Sequence, residues 1–278
     1  MAEITAHHGL LRDTTLHVDD TGGTGRPVVL IHGWPLSGEA FADNVPALQA
    51  AGYRVVTYDR RGFGRSDTPR GGYDYDTLSD DLQAVLTEPR PARRHARRLL
   101  DGRRRGRAPR HPARARAGAQ RRLRLRRPPF LATSDDNPDG PLDDATAAGM
   151  ESGLTADRDA FFEQFTTDFF SVDGTLAVTE EQRRQAVALA QQSDQHAALA
   201  CMEAFATTDF RDDLPAVRVP TLVLHGDGDA VVPFEGSGAR TAASITGART
   251  HVVAGGPHGV NVSHADERNR VLIEFLAV

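Results

Sequence analysis

Residues 27–67 read PVVLIHGWPLSGEAFADNVPALQAAGYRVVTYDRRGFGRSD. Two short apolar, β-branched runs frame the stretch: Pro27 to Ile31 (PVVLI), closed by His32 and Gly33, and Arg54 to Tyr58 (RVVTY), closed by Asp59. Such runs predict buried parallel strands. Between them, Glu39 to Ala51 sets Phe41, Val45 and Leu48 at helical spacing and stops at Gly52, which suits the residue after a helix. Strand, helix and strand form a β-α-β unit, and the fold class follows: α/β, with a doubly wound, mostly parallel sheet.

Outward from this unit the same periods return. Thr77 to Thr87 (TLSDDLQAVLT) puts Leu78, Leu82, Val85 and Leu86 on one helical face, predicting a helix packed on the sheet and a strand after it. Alternation resumes with Thr221 to His225 (TLVLH), Thr250 to Val253 (THVV) and a last helix from about Ala265 to Leu276. Residues 140–210 show helical patterns, Asp159 to Phe170 and Glu180 to Gln191, and no strand candidate. They predict a helical cap inserted over one end of the sheet, dividing the chain into a core of residues 1–138 and 211–278 and a cap of residues 139–210. Phe161, Phe162, Phe165, Phe169 and Phe170 either line a substrate cavity or form the core of that cap.

Composition narrows the classes. A chain of 278 residues, 39% hydrophobic and 26% charged, fits one soluble domain, and no apolar run reaches the roughly 20 residues of a membrane span. The start MAEITAHHGL has neither a basic nor an apolar stretch, which predicts a cytoplasmic protein. A single cysteine, Cys201, forms no internal disulfide and no cysteine-based zinc site, and reads as a small buried residue.

Chemistry gathers at strand ends. His32-Gly33-Trp34-Pro35 puts backbone amides at the carboxyl edge of a strand, where ligands of open α/β sheets bind; this suits an oxyanion hole and equally a plain turn. Asp59 to Asp67 (DRRGFGRSD) follows the next strand, with glycines for a tight turn and an Asp-Arg pairing to hold it. Late in the chain, TLVLH runs into Gly226-Asp227-Gly228-Asp229, and THVV leads to Gly255-Gly256-Pro257-His258-Gly259. An acid and a histidine in matching strand-end contexts predict a carboxylate that orients a general base.

HGWPLSG, GYRVVTYDRRGFGRSD, GYDYDT, PPFL with DNPDG, LHGDGD and GGPHG together resemble the α/β-hydrolase fold, and within it the cofactor-free haloperoxidases and aryl esterases. The resemblance covers roughly residues 10–88 and 128–278. It implies a triad in chain order nucleophile, acid, histidine, with Asp229 as acid, His258 as general base and acid, and the Trp34 amide as an oxyanion donor. It implies no metal and no organic cofactor, a small ester or carboxylic acid as substrate, and hydrogen peroxide as a second one; it leaves a homo-oligomer open. HGWP and a cap also suit an epoxide hydrolase or a dehalogenase, which differ by an aspartate nucleophile.

The pattern breaks where the nucleophile belongs. After the helix at Thr77 to Thr87 the family has a strand and a Gly-x-Ser-x-Gly elbow. This chain has neither there. All 33 basic residues are arginines, and 17 of them fall between Arg90 and Arg127 against one acid, Asp101; the other 240 residues hold 16 arginines and 37 acids. Elsewhere Gly236-Ser237-Gly238 has the wrong spacing and follows the acid, and Asp101 lacks the flanking glycines of an aspartate elbow.

The genetic code accounts for the break. Arg94 to Arg107 (RHARRLLDGRRRGR) can be written in codons that, read one base later, spell VTLVGFSMGGGEV, a strand and an intact elbow. Arg122 to Pro128 (RLRLRRP) shifts in the same way to ASVSAVP, a strand leading into PPFL. The expectation is a double frameshift over about residues 90–127, leaving a serine hydrolase or perhydrolase without its nucleophile and inactive as written. The rival is a non-catalytic protein with an arginine-rich arm for a polyanion. Against nucleic acid, the segment has no aromatic residue for stacking and replaces a central strand.

Overall fold

The structure is a computed structural model and describes residues 2–6, 13–87, 123–124 and 129–278. It opens with two strands that the sequence reading passed over, β1 (Ala2–Ala6) and β2 (Thr14–Asp20), paired antiparallel. Their signal is weaker than a solid apolar run, because β2 buries Leu16 and Val18 while His17 between them is only partly covered. A half-buried strand alternates. The next two strands match their prediction to the residue: β3 (Pro27–Ile31) runs parallel to β4 (Arg54–Tyr58), and β2 pairs antiparallel with β4.

The helix expected over Glu39 to Ala51 is broken into a 3-10 turn at Gly38–Phe41 and the helix α1 (Val45–Ala50). Pro46 is the reason: lacking an N–H and crowding the carbonyl four residues back, proline is tolerated in a first turn and not in a helix interior. Asn44 fixes the break, its buried Nδ2 donating to the Asn261 carbonyl and to Asn269 Oδ1, each at 3.0 Å. Next comes α2 (Tyr75–Thr87), started by Asp74, whose carboxylate accepts from the Thr77 amide at 2.9 Å. It buries Leu78 and Val85, whereas Leu86, expected on the same face, is exposed. Helices cover both sides of the sheet: α2 packs Val85 against Ile4, Leu16, Val18 and Val56, and on the other face α1 sets Leu48 against Leu30 and Val55.

After β5 (Leu123–Arg124) come four helices, α3 (Asp144–Ala156), α4 (Arg158–Phe170), α5 (Glu180–Gln191) and α6 (Gln195–Thr207). Each begins on a side-chain cap, from Asp143, Asp157, Thr179 and Asp194. A two-residue hairpin, β6 (Ser171–Val172) with β7 (Thr175–Leu176), interrupts them and corrects the expectation of no strand in 140–210. Its turn is Asp173-Gly174, both at positive φ, a strong short-range hairpin signal. These helices roof the loop after β3: Leu36 sits in one cluster with Leu154, Phe162, Phe169, Phe170 and Ala186.

The last part returns to the sheet, with β8 (Thr221–Gly226), α7 (Arg240–Ser244), β9 (Arg249–Val253), α8 (Val260–Ser263) and α9 (Ala265–Ala277). α9 places Leu272 and Leu276 beside Leu30 and Leu48, closing the face that α1 covers. Every residue of β8 is buried, and β8 lies between β5 and β9, parallel to both. Among the described residues the main sheet is in two pieces, β1-β2-β4-β3 and β5-β8-β9. The strand expected after α2, the elbow of the shifted frame, Asp101 and most of the arginine-rich segment lie outside the described residues.

Candidate active site

Two parallel strands side by side end in the loops that carry the predicted acid and base. Gly226, the last residue of β8, lies so near the loop after β9 that a Cβ on it would fall 1.9 Å from the Gly256 carbonyl oxygen. Only glycine permits that approach. The first aspartate of GDGD clips the loops together, Asp227 Oδ1 accepting from the Gly255 amide at 2.6 Å. The second points inward: Asp229 Oδ2 lies 2.8 Å from His258 Nδ1, while Oδ1 accepts from the amides of Val231 (3.1 Å) and Val232 (2.8 Å). Burial opposes the charge on Asp229 but is outweighed by His258, by hydrogen bonds from His225 and His258 and by the Val232 amide, so its pKa is held well below the usual carboxylate range. The carboxylate contact at Nδ1 fixes the orientation of the imidazole. The Phe169 ring packs 4.7 Å from the imidazole.

Sequence reading missed a third group. His225, at the end of TLVLH, reaches Asp229 Oδ2 and the Val232 carbonyl with Nε2, each at 2.9 Å, and is buried with the carboxylate. The available signal was a histidine four residues before an acid at a strand end, but nothing in the sequence says which acid it meets.

The loop after β3 is held from below. His32 is buried; its Nε2 accepts from the Arg60 amide at 2.9 Å, so the ring proton sits on Nδ1 and is donated to the Gly33 carbonyl, also at 2.9 Å. Burial first, and Arg60 next, push its pKa down to about 3, so the ring is neutral. The Asp-Arg pairing read from DRRGFGRSD is present: Asp59 Oδ2 accepts from Arg65 Nε and from the Arg65 amide, both at 3.0 Å, and Oδ1 accepts from the Gly38 amide at 2.8 Å. The Trp34–Pro35 peptide bond is cis. Trp34 Nε1 donates to the Ala198 carbonyl of α6 at 2.9 Å, and its ring meets Phe161, Phe162 and Phe165 edge-on. Among the described residues the Trp34 amide donates to no acceptor.

Trp34 and His258 line one cavity of about 1780 Å³, above the roughly 300–1,000 Å³ of a ligand pocket. Its lining includes Phe161, Phe165 and Phe169 of α4, Val28 to Ile31 of β3, and Leu272 and Phe275 of α9. The aromatic stretch thus divides: Phe162 and Phe170 are core of the cap, and the other three face the cavity. Ser237 is fully buried, its Oγ donating to the Pro233 carbonyl at 2.6 Å, which agrees with setting it aside as a nucleophile. Cys201 is buried as expected, and burial raises its thiol pKa. Among the described residues no three His, Cys, Asp or Glu side chains gather as metal ligands, and no helix is long and apolar enough to cross a membrane.

Residues 26–90 match the family model of the alpha/beta hydrolase fold. A putative non-heme chloroperoxidase of Synechocystis sp. is 38% identical over 260 residues, spanning 91% of this chain and 92% of that one. A bifunctional esterase/perhydrolase of Acinetobacter calcoaceticus is 30% identical over 92% of this chain and 94% of its own. Among solved structures, the bromoperoxidase from Bacillus anthracis superposes with a TM-score of 0.83 at 37% identity, covering 100% of both chains.

Proposed function

The chain belongs to the non-heme haloperoxidase group of the α/β hydrolases, and on that premise we propose that its cleft is the acid–base part of a serine acyl-transfer site whose nucleophile was removed by a shifted frame over residues 90–127. The observation that carries this reading is the 2.8 Å contact between His258 Nδ1 and the buried Asp229 carboxylate. In the restored frame, the serine of F-S-M-G-G-G-E-V attacks the carbonyl carbon of a small ester. His258 takes the serine proton, Asp229 holds the imidazole tautomer, and the Trp34 amide with that of the residue after the serine receives the oxyanion. His258 returns the proton to the leaving alcohol, and the acyl-serine passes its acyl group to water or to hydrogen peroxide. Peroxide yields a peracid, which oxidises halide in solution without a halide site. The relative named as an esterase/perhydrolase favours both acceptors.

One further observation supports the frame reading. The cavity extends along apolar residues of β3, a surface that suits an apolar strand and not an arginine-rich one. The division into core (1–138, 211–278) and cap (139–210), a cytoplasmic location and independence of metals and organic cofactors belong to the same reading. Its test is a restored-frame chain assayed with p-nitrophenyl acetate: hydrolysis that is lost in His258→Ala is expected, and an inactive restored chain, or an active His258→Ala variant of it, overturns the assignment.

A further inference from the structure

Each of three cap helices brings an acid to the cavity that holds Trp34 and His258. Glu151 of α3, Asp168 of α4 and Glu203 of α6 line it, with Asp144 at the start of α3 and Asp173 in the turn between β6 and β7. Helical spacing makes the placement telling. Phe161, Phe165 and Phe169 recur every four residues and share their face with Asp168, as Leu199 and Ala200 share one with Glu203. A helix that only packs through such a face keeps the stripe apolar. Acids of α4 and α5 outside the lining have arginine partners, Glu163 and Glu180 on Arg183 and Glu181 on Arg184. Among the described residues none of the five cavity acids pairs with a cation, and Asp168 accepts only from the neutral Gln164 amide, at 2.9 Å. The two arginines of the described lining come from elsewhere and face core partners: Arg268 is fully buried and donates to Asn269 Oδ1 at 3.1 Å, and Arg60 lies 5.0 Å from the Phe63 ring centroid.

We propose that these acids set the charge of the acyl donor: the cavity takes neutral or positively charged esters and turns away carboxylate anions. An ionised free carboxylic acid is then not a substrate. The inference deepens the acyl-transfer reading and rests on it. Charges of one sign around a cleft with apolar walls add their fields in the space between them and hold a like-charged solute out. A neutral ester is indifferent to that field, and a cationic one is drawn in. The rings of Trp34, Phe161, Phe165 and Phe169 suit the apolar part of both and favour a cation further. Hydrolysis turns the neutral ester into a carboxylate, so the acids that leave the donor alone push the product out. Acids placed there only for solubility predict no difference between esters of equal size and unlike charge.

The field can be read in the full chain without catalysis. Two of the three methionines, Met150 and Met202, line the cavity, and their isotope-labelled methyls sense soluble nitroxides by NMR. The readout is the relaxation enhancement by an aminomethyl-substituted nitroxide, a cation, divided by that from its carboxy-substituted analogue, an anion. Replacing Glu151→Gln, Asp168→Asn and Glu203→Gln together is expected to lower this ratio about 3- to 5-fold at moderate ionic strength. A control variant, Glu181→Gln, Asp266→Asn and Glu274→Gln, neutralises three acids outside this lining and is expected to stay within about 1.5-fold of the unaltered chain. All six residues are exposed, and the arginines between Arg90 and Arg127 are common to every chain compared. Equal changes in the two variants, or none in the first, overturn the proposal. Should the first variant not fold, Asp168→Asn alone is expected to move the ratio the same way, and no movement overturns it equally. In the restored chain, kcat/KM for p-nitrophenyl butyrate is expected to exceed that for the anionic mono-p-nitrophenyl succinate about 10-fold, a gap that narrows with the three cavity acids neutralised. An equal or reversed preference overturns the proposal as well. Failure of the acyl-transfer reading looks different: the restored chain is inactive toward both esters, or stays active in His258→Ala, whatever the nitroxides report.

Discussion

On the side of the cleft built by β8 and β9, both oxygens of Asp229 are matched to donors, the loops are clipped by Asp227 and Gly226, and acid and base come from positions 29 residues apart. On the side built by β3, the backbone is as well anchored, by His32 and Asp59, yet the described residues place no nucleophile beside it. The first side is assembled from two short loops that carry their own contacts. On the proposed reading, the second depends on a single elbow of about ten residues, which the double frameshift rewrites. If that reading holds, the Asp229–His258 pair is kept without the nucleophile because its contacts come from the loops after β8 and β9 alone.

Restoring the frame should break this contrast most visibly. Esterase activity of the restored chain is expected to exceed that of the chain as written by at least about 10⁴-fold, since an acid–base pair without nucleophile and second oxyanion donor can do no more than position water. Stoichiometric labelling of the unrestored chain by a fluorophosphonate would instead reveal another nucleophile. Within the restored chain, Asp229→Asn tests the intact side: kcat for p-nitrophenyl acetate should fall by about 10³- to 10⁴-fold with little change in KM, because the asparagine favours the wrong tautomer of His258.

Acid should expose the β3 side first. His32 is neutral when folded, with its pKa near 3, and takes a proton near pH 6.5 once unfolded. The unfolded chain then binds more protons, so the stability from His32 is complete above about pH 6.5 and is lost progressively as pH falls toward 3, by roughly 3–5 kcal/mol over the window. Asp229, also depressed, contributes above the ordinary carboxylate pKa of about 3.9 and is lost only below it. Urea midpoints between pH 7 and 4.5 should decline, and His32→Asn should flatten the decline where Asp229→Asn does not.

The smallest effects separate two glycines. Gly226→Ala forces a methyl onto the Gly256 carbonyl and should cost about 1–3 kcal/mol, a fall in Tm of roughly 2–4 °C per kcal/mol. Gly33→Ala meets nothing within 4 Å and should stay within about 0.5 kcal/mol of the parent. A Gly33→Ala chain less stable than Gly226→Ala would reverse the ranking of the two sides.

How far the sequence anticipates these features depends on how local their cause is. β3 and β4 were legible to the residue because solid β-branched runs between turn residues have few alternative conformations. β1 and β2 were not, because a half-buried strand of alternating character looks like many loops until its partner is known. The break at Asn44 was readable from Pro46, and the cap hairpin from Asp173-Gly174; both are local signals that a search for apolar periodicity overlooks. Asp229 and His258 were placed by strand-end context, whereas the meeting of His225 with Asp229 depends on how the loop after β8 folds back, which no spacing in the chain encodes.

Trp34 is the only tryptophan in 278 residues, and it stands where the loop after β3 meets α6, its indole hydrogen-bonded to Ala198 and packed among three phenylalanines. Its fluorescence is consequently an internal gauge of one junction. Loss of cap docking shifts the emission to the red as the indole meets water, even while strands elsewhere keep their circular dichroism. Steady-state emission followed beside far-UV ellipticity during thermal melting thus reads roof and floor of the cleft separately, with no label attached.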